Sequence, residues 1–181
     1  MKVSIFGLGY VGAVSAACFA DRGHIVVGVD PNRTKVDLIN AGAAPIVEAE
    51  LGTLTQRAVK EGRLSATMDA EAAVMQTTIT FICVATPSHA NGNLNFKYLE
   101  KVSAEIGAAL AKKAEFHVVV VRSTILPGTL KGKIIPILEK ASGKKAGVDF
   151  GVCNNPEFLR ESTAIADFRN PPKTVIGETD S

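Results

Sequence analysis

Three glycines in the run Gly7-Leu8-Gly9-Tyr10-Val11-Gly12, and an acid at Asp30, have the types and spacing to hold a phosphorylated ligand. In such a run the first glycine permits a tight turn and the second lets backbone approach a pyrophosphate. The third lets the helix that follows pack closely on the preceding strand. That helix presents unpaired N–H groups and a partial positive charge to the phosphates. Val3-Ser4-Ile5-Phe6 precedes the turn, an apolar helix-like run follows it, and Ile25-Val26-Val27-Gly28-Val29 closes on Asp30. Strand, turn, helix, strand and acid in this order form a dinucleotide-binding βαβ unit. A carboxylate at the end of the second strand accepts from both adenosine ribose hydroxyls and repels a 2′-phosphate, so the expected cofactor is NAD rather than NADP. Arg33 is the competing feature, because an arginine here can pair with a 2′-phosphate; Lys35 is placed to fold over the ribose or to stay solvated. A rival reading makes the same stretch a secretory signal, with Lys2, an apolar run and Ser15-Ala16-Ala17 as cleavage site. Three glycines would spoil its hydrophobic helix, and cleavage would discard the fingerprint that Asp30 completes.

Ligands of parallel sheets bind outside the carboxyl ends of the strands, so residues just past each strand are the next candidates. Ala85-Thr86-Pro87 follows Val84, and Arg122-Ser123-Thr124 with Pro127-Gly128-Thr129 follows Val121. Asn154-Asn155-Pro156-Glu157-Phe158-Leu159-Arg160-Glu161 follows Cys153. Singly, such residues cap helices and make turns; three successive turns beside a dinucleotide fingerprint imply a site. Cys18, Cys83 and Cys153 lack metal-ligand spacing and lie in apolar segments. They read as small buried hydrophobes in a reducing cytoplasm, with no metal site. His24 and His117 stand at strand entrances and His89 in a polar loop, none with partners that suggest catalysis.

The elements that must position these residues alternate. Helices are expected at Arg33 to Ala41, 49–61, Ala70 to Met75, Phe96 to Lys112 and Leu130 to Ala141. Strands are expected at Leu64 to Thr67, Thr78 to Val84, Val118 to Val121, Val148 to Cys153 and Thr174 to Ile176. Alternation of this kind predicts an α/β fold: a Rossmann-type, doubly wound, mostly parallel sheet with helices on both faces. The 181 residues, 46% hydrophobic and 21% charged, suffice for one domain and one sizeable core. A net charge of +2 gives no signal for nucleic acid or membrane partners, and no apolar run is long enough to span a bilayer.

Five of these pieces, in order along essentially the whole chain, carry a resemblance. They are Gly7 to Gly12, Pro45-Ile46-Val47-Glu48, Thr86-Pro87, Ser123-Thr124 with Pro127-Gly128-Thr129, and above all Asn155-Pro156-Glu157-Phe158-Leu159-Arg160-Glu161. Together they resemble the N-terminal NAD-binding domain of the UDP-glucose/GDP-mannose dehydrogenase family. Residues 143–151 and Glu161-Ser162-Thr163-Ala164-Ile165 look most like its GDP-mannose 6-dehydrogenase branch. The resemblance implies a two-step, NAD-dependent oxidation of the C6 hydroxymethyl of GDP-mannose or UDP-glucose to a carboxylate, serving polysaccharide biosynthesis. Between the steps a cysteine holds the aldehyde level as a thiohemiacetal, which becomes a thioester and is hydrolysed. It also implies Tyr10 and Val11 along the cofactor, Asp30 and Lys35 at its adenosine ribose, and Thr86 and Thr124 at the nicotinamide. Glu161 would then lie at the reacting sugar as base or water-positioning group. Glu157, one helical turn before it, would raise its pKa by charge, although Glu157 and Arg160 read equally well as a structural ion pair. The full-length protein is expected to be a cytoplasmic homo-oligomer.

Two departures stand against the family pattern. Its Gly-Gly-x-Cys-Phe/Leu-Pro-Lys-Asp motif is absent, so the nucleophile and the central and sugar-nucleotide domains are expected outside this chain, which alone should be inactive. Ala49-Glu50-Leu51 stands where the family usually has Pro-Gly-Leu. The alternatives are a non-catalytic NAD-binding or sensing module and the first domain of another NAD-dependent dehydrogenase. The latter should lack the Asn155–Glu161 run.

Overall fold

The computed structural model describes residues 1–90 and 92–178. The chain runs β1 (Lys2–Phe6), α1 (Tyr10–Asp21), β2 (Ile25–Val29), α2 (Arg33–Asn40), α3 (Leu51–Lys60), β3 (Leu64–Thr67) and α4 (Ala70–Met75). It continues through β4 (Ile79–Ile82), α5 (Lys97–Lys112), β5 (His117–Val121), α6 (Ile135–Ser142), β6 (Phe150–Asn154), α7 (Ala164–Arg169) and β7 (Gly177–Glu178). The strands form one sheet in the order β3-β2-β1-β4-β5-β6-β7, parallel throughout except that β7 runs antiparallel to β6. This is the Rossmann-type doubly wound fold that the sequence predicts. The order reverses between β1 and β4, the switch point at which such sheets open a binding crevice.

Burial explains the continuous apolar strands. One core joins Phe6, Ile82, Val119, Val121 and Phe150 of the sheet to Leu99, Ile106 and Leu110 of α5 and Leu138 of α6. The opposite face packs Val3, Ile5, Val26 and Leu64 on α1, α2 and α3 through Ala16, Ala20, Ile39 and Ala58. A third cluster covers the outer side of α1 with Leu51 and Leu54 of α3 and Ala164 and Ile165 of α7. α1 is therefore enclosed on both sides, which accounts for its Ala-, Gly- and Val-rich sequence with no polar stripe.

Several boundaries differ from expectation. The last strand lies at Gly177–Glu178 rather than Thr174 to Ile176, because Val175 spends its carbonyl on the Asn155 side-chain amide (2.8 Å). α7 has no counterpart in the sequence reading; its six residues form against α1, tertiary packing that no local periodicity shows. The helix expected from Leu130 opens as a π-helical turn over Leu130–Ile134 before α6. Pro136 is the cause: it lacks an N–H and its ring would clash with the carbonyl four residues back.

Beneath the sheet's amino-terminal edge lies a buried polar chain. His117, wholly buried, sets Nδ1 3.2 Å from the Thr77 carbonyl and Nε2 2.8 Å from the Thr80 hydroxyl. A carbonyl only accepts, so Nδ1 carries the proton, Nε2 accepts from Thr80, and Thr80 accepts from Ser4 (2.6 Å). The ring is thus neutral in the fold, and burial, with the Lys113 charge second, pulls its pKa down from 6.5 to about 4. Between these two values the unfolded chain binds the extra proton and the folded chain does not. Stability is therefore full above pH 6.5 and falls as pH drops towards 4, by about 3 kcal/mol in all. Urea melts at steps across this range should show the slope in the native protein and a flattened one in His117→Asn.

Candidate active site

The glycine-rich turn is built by exclusion of side chains. Gly7 has φ +94°, a left-handed conformation that favours glycine, and an added Cβ would stand 3.0 Å from the Cys83 carbonyl oxygen. A Cβ on Gly12 would come within 1.7 Å of the Gly7 carbonyl oxygen, so helix and turn touch backbone to backbone there. At Gly9 an added Cβ would meet nothing within 4 Å; this glycine faces the open cleft. α1 starts at this point with no side-chain cap and no acid in its first turn. Its N-terminal positive end is thereby left to a ligand anion.

Asp30 directly follows β2, with only 6% of its surface exposed. One carboxylate oxygen accepts the Leu8 N–H (2.8 Å) and the other the Asn32 N–H (2.9 Å), while Lys35 Nζ lies 3.4 Å away. The acid thus braces the glycine turn from within and shows its remaining acceptor capacity to the cleft. Asn32, which the sequence reading passed over, caps α2 by accepting from the Thr34 and Lys35 N–H groups, and so aims Lys35 back at Asp30. Arg33 turns away to pair with Asp37 at 3.6 Å and does not line the cleft.

The cleft, about 910 Å³, runs across the switch point from Asp30 and Lys35 to the ends of β4 and β5. Met68, Tyr98 and Val102 also line the cleft, residues that the sequence reading missed because only their proximity in the fold marks them. At the other end Thr86 and Thr124 meet, the Thr86 hydroxyl donating to the Thr124 carbonyl at 3.0 Å. Ser123 pins this turn by donating to the Val84 carbonyl (2.6 Å). Glu157 also lines the cleft; Glu161 is exposed outside it. The two carboxylates are not one helical turn apart, because residues 155–160 are not helical. Pro156 cannot donate, Glu157 accepts the Leu159 N–H (2.6 Å), and these local bonds displace the helix.

Arg160 pairs with Asp167 (2.7 Å) rather than with Glu157. Its guanidinium and backbone N–H together hold the Asp167 carboxyl far below the usual carboxylate range. The thiols are poor nucleophiles: burial pushes Cys83, on the cleft floor, up to about 12, Cys18 up to about 11, and Cys153 upward as well.

The loop before α3 ties the two ends of the site together. Glu48 accepts from the Tyr10 hydroxyl with one oxygen, which also takes the Ser162 N–H (2.9 Å), and with the other it takes the Ala164 N–H (3.1 Å). Burial, and then the bond to Glu48, push the Tyr10 hydroxyl up to about 12, so it stays a donor. Glu50, where glycine is usual, sits at φ +62° in the left-handed region; its carboxylate reaches Arg169 of α7 at 2.9 Å. That conformation explains the expected glycine, and the ion pair offsets part of the strain.

The sequence profile of the UDP-glucose/GDP-mannose dehydrogenase family, NAD binding domain, matches residues 1–181. The chain belongs to this family. The GDP-mannose 6-dehydrogenase of Pseudomonas aeruginosa is 59% identical over 180 residues, covering 99% of this chain and 41% of that protein. The UDP-glucose 6-dehydrogenase of Haloferax volcanii is 42% identical over 177 residues, 98% of this chain and 41% of that protein. A crystal structure of a ternary complex of the P. aeruginosa GDP-mannose dehydrogenase superposes with a TM-score of 0.98 at 59% identity, over 99% of this chain and 41% of that one. A UDP-glucose dehydrogenase from Pyrobaculum islandicum superposes with 0.93 at 42% identity, again over 99% and 41%. The chain therefore spans about two-fifths of the length of the relatives it matches. NAD, the family domain's cofactor, fits the residues present. The open space at Gly9 suits a pyrophosphate, the bare start of α1 suits its charge, and the buried Asp30 carboxylate suits ribose hydroxyls.

Proposed function

We propose that this chain binds NAD within a GDP-mannose 6-dehydrogenase, with Thr86, Thr124 and Glu157 at the mouth where the sugar's C6 reacts. One observation carries the reading: a single cleft runs from the glycine turn and Asp30 to both threonines and Glu157. Identity favours GDP-mannose over UDP-glucose, at 59% against 42%. Bound NAD supplies the hydride acceptor. This chain's part is to fix the cofactor's ends: Gly7–Gly12 and Val11 at the pyrophosphate, Asp30 and Lys35 at the ribose. Thr124, oriented by Thr86 and Ser123, lines the nicotinamide end. Glu157 offers a carboxylate to accept a proton from, or aim, a water. Glu161, exposed outside the cleft, contributes to sugar binding.

Calorimetry on the chain tests the cofactor end. NAD should bind more tightly than NADP. Asp30→Ala should weaken NAD about 10–100-fold, as the loss of one or two hydrogen bonds to a charged group implies, and should narrow the preference. Tighter binding of NADP by the native chain would overturn the assignment and return attention to Arg33. The enzyme containing the chain should form two NADH per GDP-mannose consumed and far less from UDP-glucose, while the chain alone should form none. NADH from neither sugar in the whole enzyme would favour a non-catalytic binding module.

A further inference from the structure

The geometry points to Glu48 as a positioning residue of the reaction: its carboxylate ties the segment that carries Glu157 and Glu161 to the first turn of α1. This rests on the reading above, in which that segment faces the sugar. Three observations meet at this carboxylate. Its two oxygens accept the Tyr10 hydroxyl and the N–H groups of Ser162 and Ala164, which lie 114 and 116 residues further along the chain. Ser162 has φ +70°, a conformation that a serine keeps only where its surroundings impose it, and its N–H is held by both Glu48 and the Tyr10 hydroxyl (3.0 Å). Tyr10 is itself a lining residue of the cleft, at the turn where the pyrophosphate binds. Any shift of Tyr10 on dinucleotide binding is therefore passed, both directly and through Glu48, to the residue that follows Glu161. The bent backbone at Ser162 sets the direction in which the chain leaves Glu161, and Leu159, like Tyr10 and Ile46, packs on the buried cluster of α1, α3 and α7. One carboxylate thereby fixes cofactor turn and sugar-facing segment in a common frame.

The test uses the whole enzyme with NAD and GDP-mannose, measured well below each variant's melting temperature. Glu48→Ala should lower kcat about 10–100-fold, the order expected of a misplacement near 1 Å, while NAD affinity stays within about threefold. Glu48→Gln keeps one acceptor oxygen and should recover most of the loss. Amide exchange at Ser162 and Ala164 should quicken about tenfold or more in Glu48→Ala, whatever the activity. Tyr10→Phe should also slow turnover, and the double variant should be no worse than the poorer single, because the pair acts as one unit. Turnover within about twofold of native in Glu48→Ala, with exchange accelerated, would overturn the proposal. Losses that multiply in the double variant would do the same. Should Glu48→Ala not fold, Tyr10→Phe decides, because it removes the hydroxyl bound to both Glu48 and the Ser162 N–H: faster exchange at Ser162 with native kcat overturns the proposal, and a kcat loss rescued by neither sugar nor NAD excess supports it. In each of these cases, loss of turnover in Glu157→Gln leaves the site reading standing. If Glu157→Gln and Glu161→Gln both turn over normally, the site reading and the proposal fall together.

Discussion

Gly12→Ala should abolish NAD binding and destabilise the fold, while Gly9→Ala should do the first in part and the second not at all. The two changes add the same methyl to the same turn, so the contrast isolates geometry. At Gly12 the new Cβ would lie 1.7 Å from the Gly7 carbonyl oxygen, backbone that cannot rotate aside. α1 would have to lift off β1, and with it the packing of Ala13, Ala16 and Ala17, each at most 1% exposed. Overpacking of a close interior contact costs about 1–3 kcal/mol even where side chains can yield; here a fixed carbonyl opposes it, so the upper end is expected. At Gly9, φ −78° and ψ −161° are open to alanine, and nothing lies within 4 Å of the added carbon. The melting temperature should hold. The methyl would enter the cleft where we propose that the pyrophosphate rests, so NAD affinity should still fall, by about tenfold or more for a displaced charged hydrogen bond. Thermal melts with and without NAD, together with calorimetry, read both arms. A stable Gly12→Ala that binds NAD normally would mean that the turn relaxes freely and that its glycines are not what shapes the site.

The glycine turn was legible because its constraint is local: a strand, a bend and a helix within a few residues leave room only for particular side chains. Asp30 was legible for the same reason, as was the sheet, since strands buried on both faces must be apolar along their whole length. What escaped the sequence depends on contacts between distant segments. α7 forms because Ala164 and Ile165 pack on the outside of α1, more than 140 positions away. The role of Glu48 rests on partners at positions 162 and 164 and so has no signature in its own neighbourhood. The helical reading of Glu157 to Glu161 failed where short-range competition won. A proline, a carboxylate bonded to the Leu159 N–H and an Arg160 N–H captured by Asp167 (3.0 Å) leave that backbone no partners for a helix. The consequence is functional, because it separates two carboxylates that a helix would have stacked.

That separation assigns them different expected phenotypes in the whole enzyme. Glu157 lines the cleft with Thr124, whereas Glu161 is exposed beyond it, on the segment that Glu48 ties to Tyr10. A group acting only at hydrolysis of the covalent sugar intermediate stabilises a late transition state, so its loss should lower kcat far more than it weakens sugar binding. Glu157→Gln keeps the shape and one acceptor for the Leu159 N–H, but a neutral amide cannot take a proton from water. We expect hydride transfer to proceed, hydrolysis to stall, and kcat to fall about 10²–10⁴-fold, the usual cost of losing a general base. A covalent enzyme–sugar adduct should accumulate and be visible by mass spectrometry. Glu161→Gln should instead raise KM for the sugar with a smaller change in kcat, since an exposed group outside the cleft reaches the substrate without reaching the attacking water. If the adduct accumulates in Glu161→Gln and not in Glu157→Gln, the base is Glu161, and the segment must turn inward when the sugar binds. If neither variant accumulates it, water is activated without either carboxylate, and the Thr124 hydroxyl, which lines the same cleft, becomes the group within this chain that aims it.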